Sequence, residues 1–132
     1  MTRRFSTPEQ LAQALESAAD SVGPATAAAV RREAMMLRTL IQAAATGRPG
    51  PNVITGRYRA SWHTQIHPRT HGAHAVVGTF APQARRLELG FHGADALGRI
   101  YSQEPLPHVA PALTVLQPDF AERIADAAER AL

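Results

Sequence analysis

The sequence predicts a single α+β domain: N-terminal helices, a small antiparallel β-sheet built on a hairpin, and a C-terminal helix. Apolar residues recur at three- and four-residue steps before residue 46, alternate with polar ones after residue 61, and return to a helical period near the C-terminus. At 132 residues the chain has room for one core. Residues 1–46 read as the helical part, 53–104 as the sheet with a short helix, and 108–132 as the C-terminal helix.

Ser6-Thr7-Pro8-Glu9 opens the first helix with a hydroxyl cap, a proline where its missing N–H costs nothing, and an acid at the positive helix end. Leu11, Leu15 and Ala18 follow at helical spacing, and Gly23-Pro24 is expected to end the segment near Ser21. A second helix is expected from Ala25 to Ala45, with Val30, Ala34, Leu37 and Ile41 on one stripe. Gly47-Arg-Pro-Gly-Pro-Asn52 can continue neither helix nor strand and reads as a loop. Beyond it Trp62, Thr64 and Ile66 fall on one side of a strand, His71-Gly72 supplies a turn, and His74 to Phe80 returns as the second strand of a hairpin. Pro82 to Gly90 suits a two-turn helix. Phe91 to Gly98 reads as glycine-rich and irregular, and Arg99-Ile-Tyr-Ser as a short edge strand bounded by Pro105 and Pro107. Leu113, Leu116, Phe120, Ile124 and Ala127/Ala128 then mark the last helix, from about Pro111 or Pro118 to the terminus.

Composition narrows the function classes. The hydrophobic fraction is 45%, but alanine dominates it and aromatics make up only 5%, so each position buries little area and the core is expected to be thin. Such a domain gains from covering apolar surface with neighbouring subunits, which makes oligomerisation the expectation. With no cysteine there is no disulfide, thiolate metal site or cysteine nucleophile, in keeping with cytosolic synthesis. Met1-Thr-Arg-Arg-Phe5 is followed by polar residues and proline, so no secretion signal is expected, and no apolar run is long enough for a membrane span. All 14 basic residues are arginine and the formal charge is +3, which suits nucleic acid or acidic protein surfaces, although the arginines are spread along the chain.

Several residue sets invite a chemical reading. His63, His67, His71 and His74 are closely spaced, but Pro68 and Gly72 spoil helical gathering and no acid lies between Trp62 and Leu87, so exposed polar-face histidines are expected and not a metal site. Ser61, His63 and Glu88 could be assembled into a triad, yet the nucleophile-elbow context is missing. Thr46-Gly-Arg-Pro-Gly50 lacks the Lys-Ser/Thr step of a phosphate loop. Arg57-Tyr-Arg59 with Trp62 could stack on bases and grip phosphates, the basis of an alternative reading as a small basic nucleic-acid-binding or regulatory domain; Tyr58 and Trp62 are otherwise core residues. No enzyme activity and no cofactor are expected.

The order of segments resembles the small neck and tail-completion proteins of tailed bacteriophages, variously labelled head–tail connector, minor tail or tail terminator. The resemblance lies in Thr55-Gly-Arg-Tyr-Arg-Ala-Ser61, the hairpin to Phe80, Leu87-Glu-Leu-Gly-Phe91, Pro105-Leu-Pro-His-Val-Ala-Pro-Ala-Leu113 and the helix from Phe120 to Leu132, covering about residues 25–132. It departs in carrying Leu106-Pro-His-Val109 where an Arg-Pro-Phe-Leu type of core is common, and in a longer 91–104 segment. The resemblance implies a structural subunit of a homo-oligomeric ring, commonly of six copies, between capsid portal and tail tube. Its partners would be neck or connector proteins and the tail tube protein, and it would reside in the virion after assembly in the host cytoplasm. On that reading Arg57, Arg59, Arg85 and Arg86 are candidates for a lumen facing viral DNA. Trp62, Leu87, Leu89, Phe91, Ile100, Tyr101, Leu106 and Val109 are candidates for the subunit interface.

Overall fold

A computed structural model describes residues 4–132; the expectation for Met1 to Arg3 lies outside them. One helix organises the fold. Helix α1 spans Pro8–Ala44, 37 residues, with Pro8 in its first turn and the Thr7 hydroxyl accepting from the Gln10 N–H at 3.2 Å. The expected break at Gly23-Pro24 does not occur: both residues lie inside α1, so the two predicted helices are one. Tertiary packing overrides the local signal here. Gly23 is buried beneath a hairpin turn, where a Cβ would stand 3.6 Å from the His71 Cα and the Thr70 carbonyl oxygen. Pro24 and Asp20 sit on the exposed side, where a carbonyl deprived of its donor can turn to water.

The hairpin itself is as expected. Strands β1 (His63–Arg69) and β2 (Gly72–Gly78) pair antiparallel around a two-residue turn at Thr70-His71, in a register that sets His67 opposite His74 and Thr64 opposite Val77. Gly72 is the first strand residue and not part of the turn. One face of this hairpin lies along α1. Between α1 and β1 a single turn, α2 (Arg57–Ala60), precedes Trp62.

Helix α3 spans Ala84–Leu89, within the predicted Pro82–Gly90 segment. The stretch after it is not irregular: β3 (Phe91–Ala94) pairs with β4 (Ile100–Gln103) as a second antiparallel hairpin. Asp95 closes its tip, accepting from the backbone N–H groups of Leu97 and Arg99 at 2.9 Å each. A side chain that bonds its own turn can replace the long alternating pattern that usually signals a strand. The C-terminal segment, expected as one helix from about Pro111 or Pro118, is divided at the second of these positions. Helix α4 (Val109–Leu116) passes through a 3₁₀ turn at Gln117–Asp119 into α5 (Phe120–Arg130), because Pro118 supplies no N–H to an α ladder. The sheet component is therefore two separate two-stranded units, and the fold is α+β.

The core is small. Ile41, Trp62 and Ala112 form its buried centre, with Leu37, Leu40, Tyr58, Val77 and Val109 packed around them. Among the described residues the buried apolar positions are Ala29, Ala34, Ile41, Ala45, Trp62, Ala112, Leu116 and Ala127, mostly alanine. Small side chains let α5 lie close against α1, where Glu33 pairs with Arg123 and Arg123 also donates to the Leu116 carbonyl at 2.9 Å. No helix among the described residues is long and apolar enough to cross a membrane.

Candidate functional site

Three of the segments singled out in the sequence meet at one place. Thr55 to Ser61 carries α2, which delivers Tyr58 and, just beyond its end, Trp62; Leu87 to Phe91 ends α3 and delivers Glu88; Pro105 to Leu113 delivers His108. His108 is fully enclosed, at 0% exposure. Its ring meets those of Tyr58 and Trp62 edge-on at 5.6 and 5.9 Å. The Nδ1 side faces the Leu106 carbonyl at 2.8 Å and a Glu88 oxygen at 3.0 Å, both acceptors, so the proton belongs there. Nε2 is then free to accept, and the Tyr58 hydroxyl donates to it at 2.6 Å.

Glu88 completes the junction. One of its oxygens accepts from the backbone N–H groups of His108 at 2.8 Å and Val109 at 3.1 Å, and the other from Ala110 at 3.0 Å. These are orphan donors at the start of α4, a helix with no cap of its own, so a side chain from α3 caps it across the fold. Burial pushes the Glu88 carboxyl upward, but the three N–H bonds, with the nearby His108, outweigh it and hold the group below its ordinary 4.5. Burial likewise raises the Tyr58 phenol above its ordinary 10.0; the Trp62 indole pulls it back in part and the Glu88 charge adds to the rise. Gly90 follows at φ +79°, where an added Cβ would stand 2.8 Å from the Gln103 carbonyl oxygen and 3.0 Å from Pro105, so the Glu88-Leu-Gly90 spacing is a packing requirement.

Beside this junction opens a cleft of about 670 Å³. The loop after α1 forms one wall with Arg48, Pro51, Val53 and Ile54; α2 contributes Arg57, Tyr58 and Arg59; Pro82, Leu87 and Leu106 close the far side. No acidic residue lines it. The chain matches no family model, no curated protein and no solved structure.

That geometry separates the candidate sets. Arg57, Arg59, Arg85 and Arg86 are all exposed, and none pairs with a carboxylate among the described residues. The first two line the cleft; Arg85 and Arg86 do not, and Arg86 lies over the Phe91 ring at 3.9 Å. Among the interface candidates Leu89, Ile100 and Tyr101 are exposed, while Leu87, Phe91, Leu106 and Val109 are half-buried. Trp62 is a correction: at 6% exposure it belongs to the core and has no surface to offer a neighbour. For the same reason it presents no face to a base, and Tyr58 is turned inward to His108.

The remaining sets are not assembled. The Ser61 hydroxyl bonds the Tyr58 carbonyl at 2.5 Å and the Thr79 hydroxyl at 2.6 Å, His63 reaches only the Ser61 carbonyl at 3.3 Å, and Glu88 is committed to α4. The His63 ring stacks on Phe80 at 5.0 Å and His67 on its cross-strand partner His74 at 5.7 Å. No group of three or more His, Asp or Glu residues is placed to hold a metal ion among the described residues. The residue that sequence reasoning missed is His108, the most enclosed polar side chain of the chain's described part. Its signal in the sequence is a histidine set between Pro107 and Val109 in the otherwise apolar run Leu106 to Leu113.

Proposed function

We propose that this chain is a structural subunit of an oligomeric ring in the neck or tail end of a tailed bacteriophage, joining the capsid connector to the tail tube. The observation that supports it most is the distribution of apolar side chains. Among the described residues three large ones, Ile41, Trp62 and Leu116, lie inside with five alanines; outside stand Leu11, Leu15, Ile54, Phe80, Leu89, Leu97 and Ile100, several almost fully exposed. At roughly 25 cal/mol per Å², side chains of this size each gain on the order of 1.5–3 kcal/mol on being covered, which a lone monomer forgoes. The second hairpin illustrates this: it packs on itself more than on the helices, and Ile100 on it is 86% exposed. The polar residues with chemical potential, Tyr58, Glu88 and His108, are spent on holding α2, α3 and α4 together.

Light scattering and negative-stain electron microscopy of the purified chain test the reading: closed rings of one size are expected. A monomer or dimer with salt-dependent affinity for DNA would favour the small basic nucleic-acid-binding domain instead. For a DNA-facing lumen Arg85 and Arg86 are the cleanest probes, since they lie outside the cleft. Particles carrying Arg85→Glu with Arg86→Glu should assemble rings yet retain or eject DNA poorly; unchanged infectivity would remove the lumen role.

A further inference from the structure

Helix α1 carries two unsatisfied features at its opposite ends. From Pro8 to Ser21 it projects beyond the hairpin turn that covers Gly23, and apart from half-buried Ala14 and Ala18 its side chains are exposed. Leu11 and Leu15, one turn apart, form an apolar ridge on this arm. At the other end lies the apolar cleft, whose wall begins at Ala45, immediately after the helix stops. Ile54 on its lip is 92% exposed.

Charge matches the two. Past Arg4, residues 5–30 contain Glu9, Glu16 and Asp20 and no arginine or histidine, which leaves the described arm net negative, whereas the cleft is lined by Arg48, Arg57 and Arg59 and no acid. Net attraction between a negative arm and a positive cleft steers encounter, while the leucine ridge supplies the burial and Glu9, Glu16 and Asp20, on the opposite side of the helix, stay toward solvent, the arrangement of an amphipathic helix in a groove.

We infer that the cleft receives the α1 arm of a second copy of this chain, Leu11 and Leu15 foremost. The inference rests on the ring reading above and names its contact. An arm cannot serve its own cleft. Along the continuous helix Leu11 and Ala45 are about 50 Å apart at roughly 1.5 Å per residue. Even a complete reversal at Gly23-Pro24 would bring Leu11 back by only about 18 Å, against about 33 Å from Gly23 to Ala45. Donor and acceptor on opposite ends of one rigid body make a head-to-tail contact, which closes into a ring or runs on as a filament. Arg57 and Arg59 then belong to the contact, leaving Arg85 and Arg86 to face the lumen.

Two variants at exposed positions test this without touching the core: Leu11→Asp with Leu15→Asp, and Ile54→Asp. The wild-type chain assembles; each variant alone runs at the 14.2 kDa monomer mass with unchanged circular dichroism. Mixed in equal amounts, they form a complex of twice that mass and nothing larger, because only one arm and one cleft remain competent. If the wild type assembles and the arm variant still does so, or if the mixture stays monomeric, the inference is overturned while a ring built by other surfaces survives. Open filaments abolished by the same variants would keep the contact and sink the ring. A wild-type chain that remains monomeric at every concentration overturns the contact and leaves the ring reading without support.

Discussion

Replacing Glu88 by alanine takes away the acceptor of three backbone N–H groups at once, those of His108, Val109 and Ala110. Ala110 is exposed and regains water, whereas His108 is enclosed and its N–H is left without a partner. Loss of a cap costs about 1 kcal/mol, and an orphaned buried donor adds about 1–3 kcal/mol, so Glu88→Ala should destabilise the fold by about 2–4 kcal/mol. For a chain of this size that corresponds to a melting temperature lower by roughly 6–20 °C, read by circular dichroism with urea titration as a check. Acid gives an independent handle. Because the folded carboxyl titrates below its ordinary 4.5, its contribution is whole above that pH, declines as the pH falls beneath it, and is gone once the folded group is protonated. The stability gap between wild type and Glu88→Gln should therefore narrow on acidification below about pH 4.5. A Glu88→Ala melt that overlays the wild type, or a gap to Glu88→Gln indifferent to acid, would refute the account of the junction.

Tyr58→Phe leaves the enclosed His108 Nε2 without its donor and should cost about 1–2 kcal/mol in urea unfolding. Since the folded Tyr58 phenol titrates above 10.0, the stability tied to its proton is intact below that pH and is lost as the pH rises through the folded value; a Tyr101→Phe protein, monitored by phenolate absorbance, should ionise its remaining phenol above pH 10.0. Gly50→Ala forces a Cβ into the Ala44 carbonyl at the end of α1, so an overpacking loss of about 1–3 kcal/mol is expected, and an unchanged urea midpoint would show that the loop can shift aside. Ile41→Ala, at the centre of the small core, should cost about 2–5 kcal/mol and lower the urea midpoint accordingly.

The elements that were legible in the sequence are those whose signal is local. The β1–β2 hairpin follows from its alternation, and α3 from Pro82 and Gly90 on either side of it. The misread places are those where a distant segment decides. Gly23-Pro24 spells a helix end in isolation, but the hairpin turn lying over Gly23 makes the straight path the one that buries surface. Phe91 to Ala94 is too short to display a period, and its pairing with β4 depends on Asp95 folding the tip. The capping role of Glu88 was not legible because sequence distance hides α4, 20 residues on, whose donors it satisfies. His108 was overlooked for the related reason that its partners Tyr58 and Glu88 come from two other segments, 50 and 20 residues away.

The unbroken α1 is also a gauge of length. In a head-to-tail assembly its 37 residues set the distance from each subunit's grip to its own socket. Inserting about seven residues, two turns, would add about 10 Å and rotate the arm by only about 20°. The diameter of such a ring is thus written in a count of residues, and changes by whole turns of one helix.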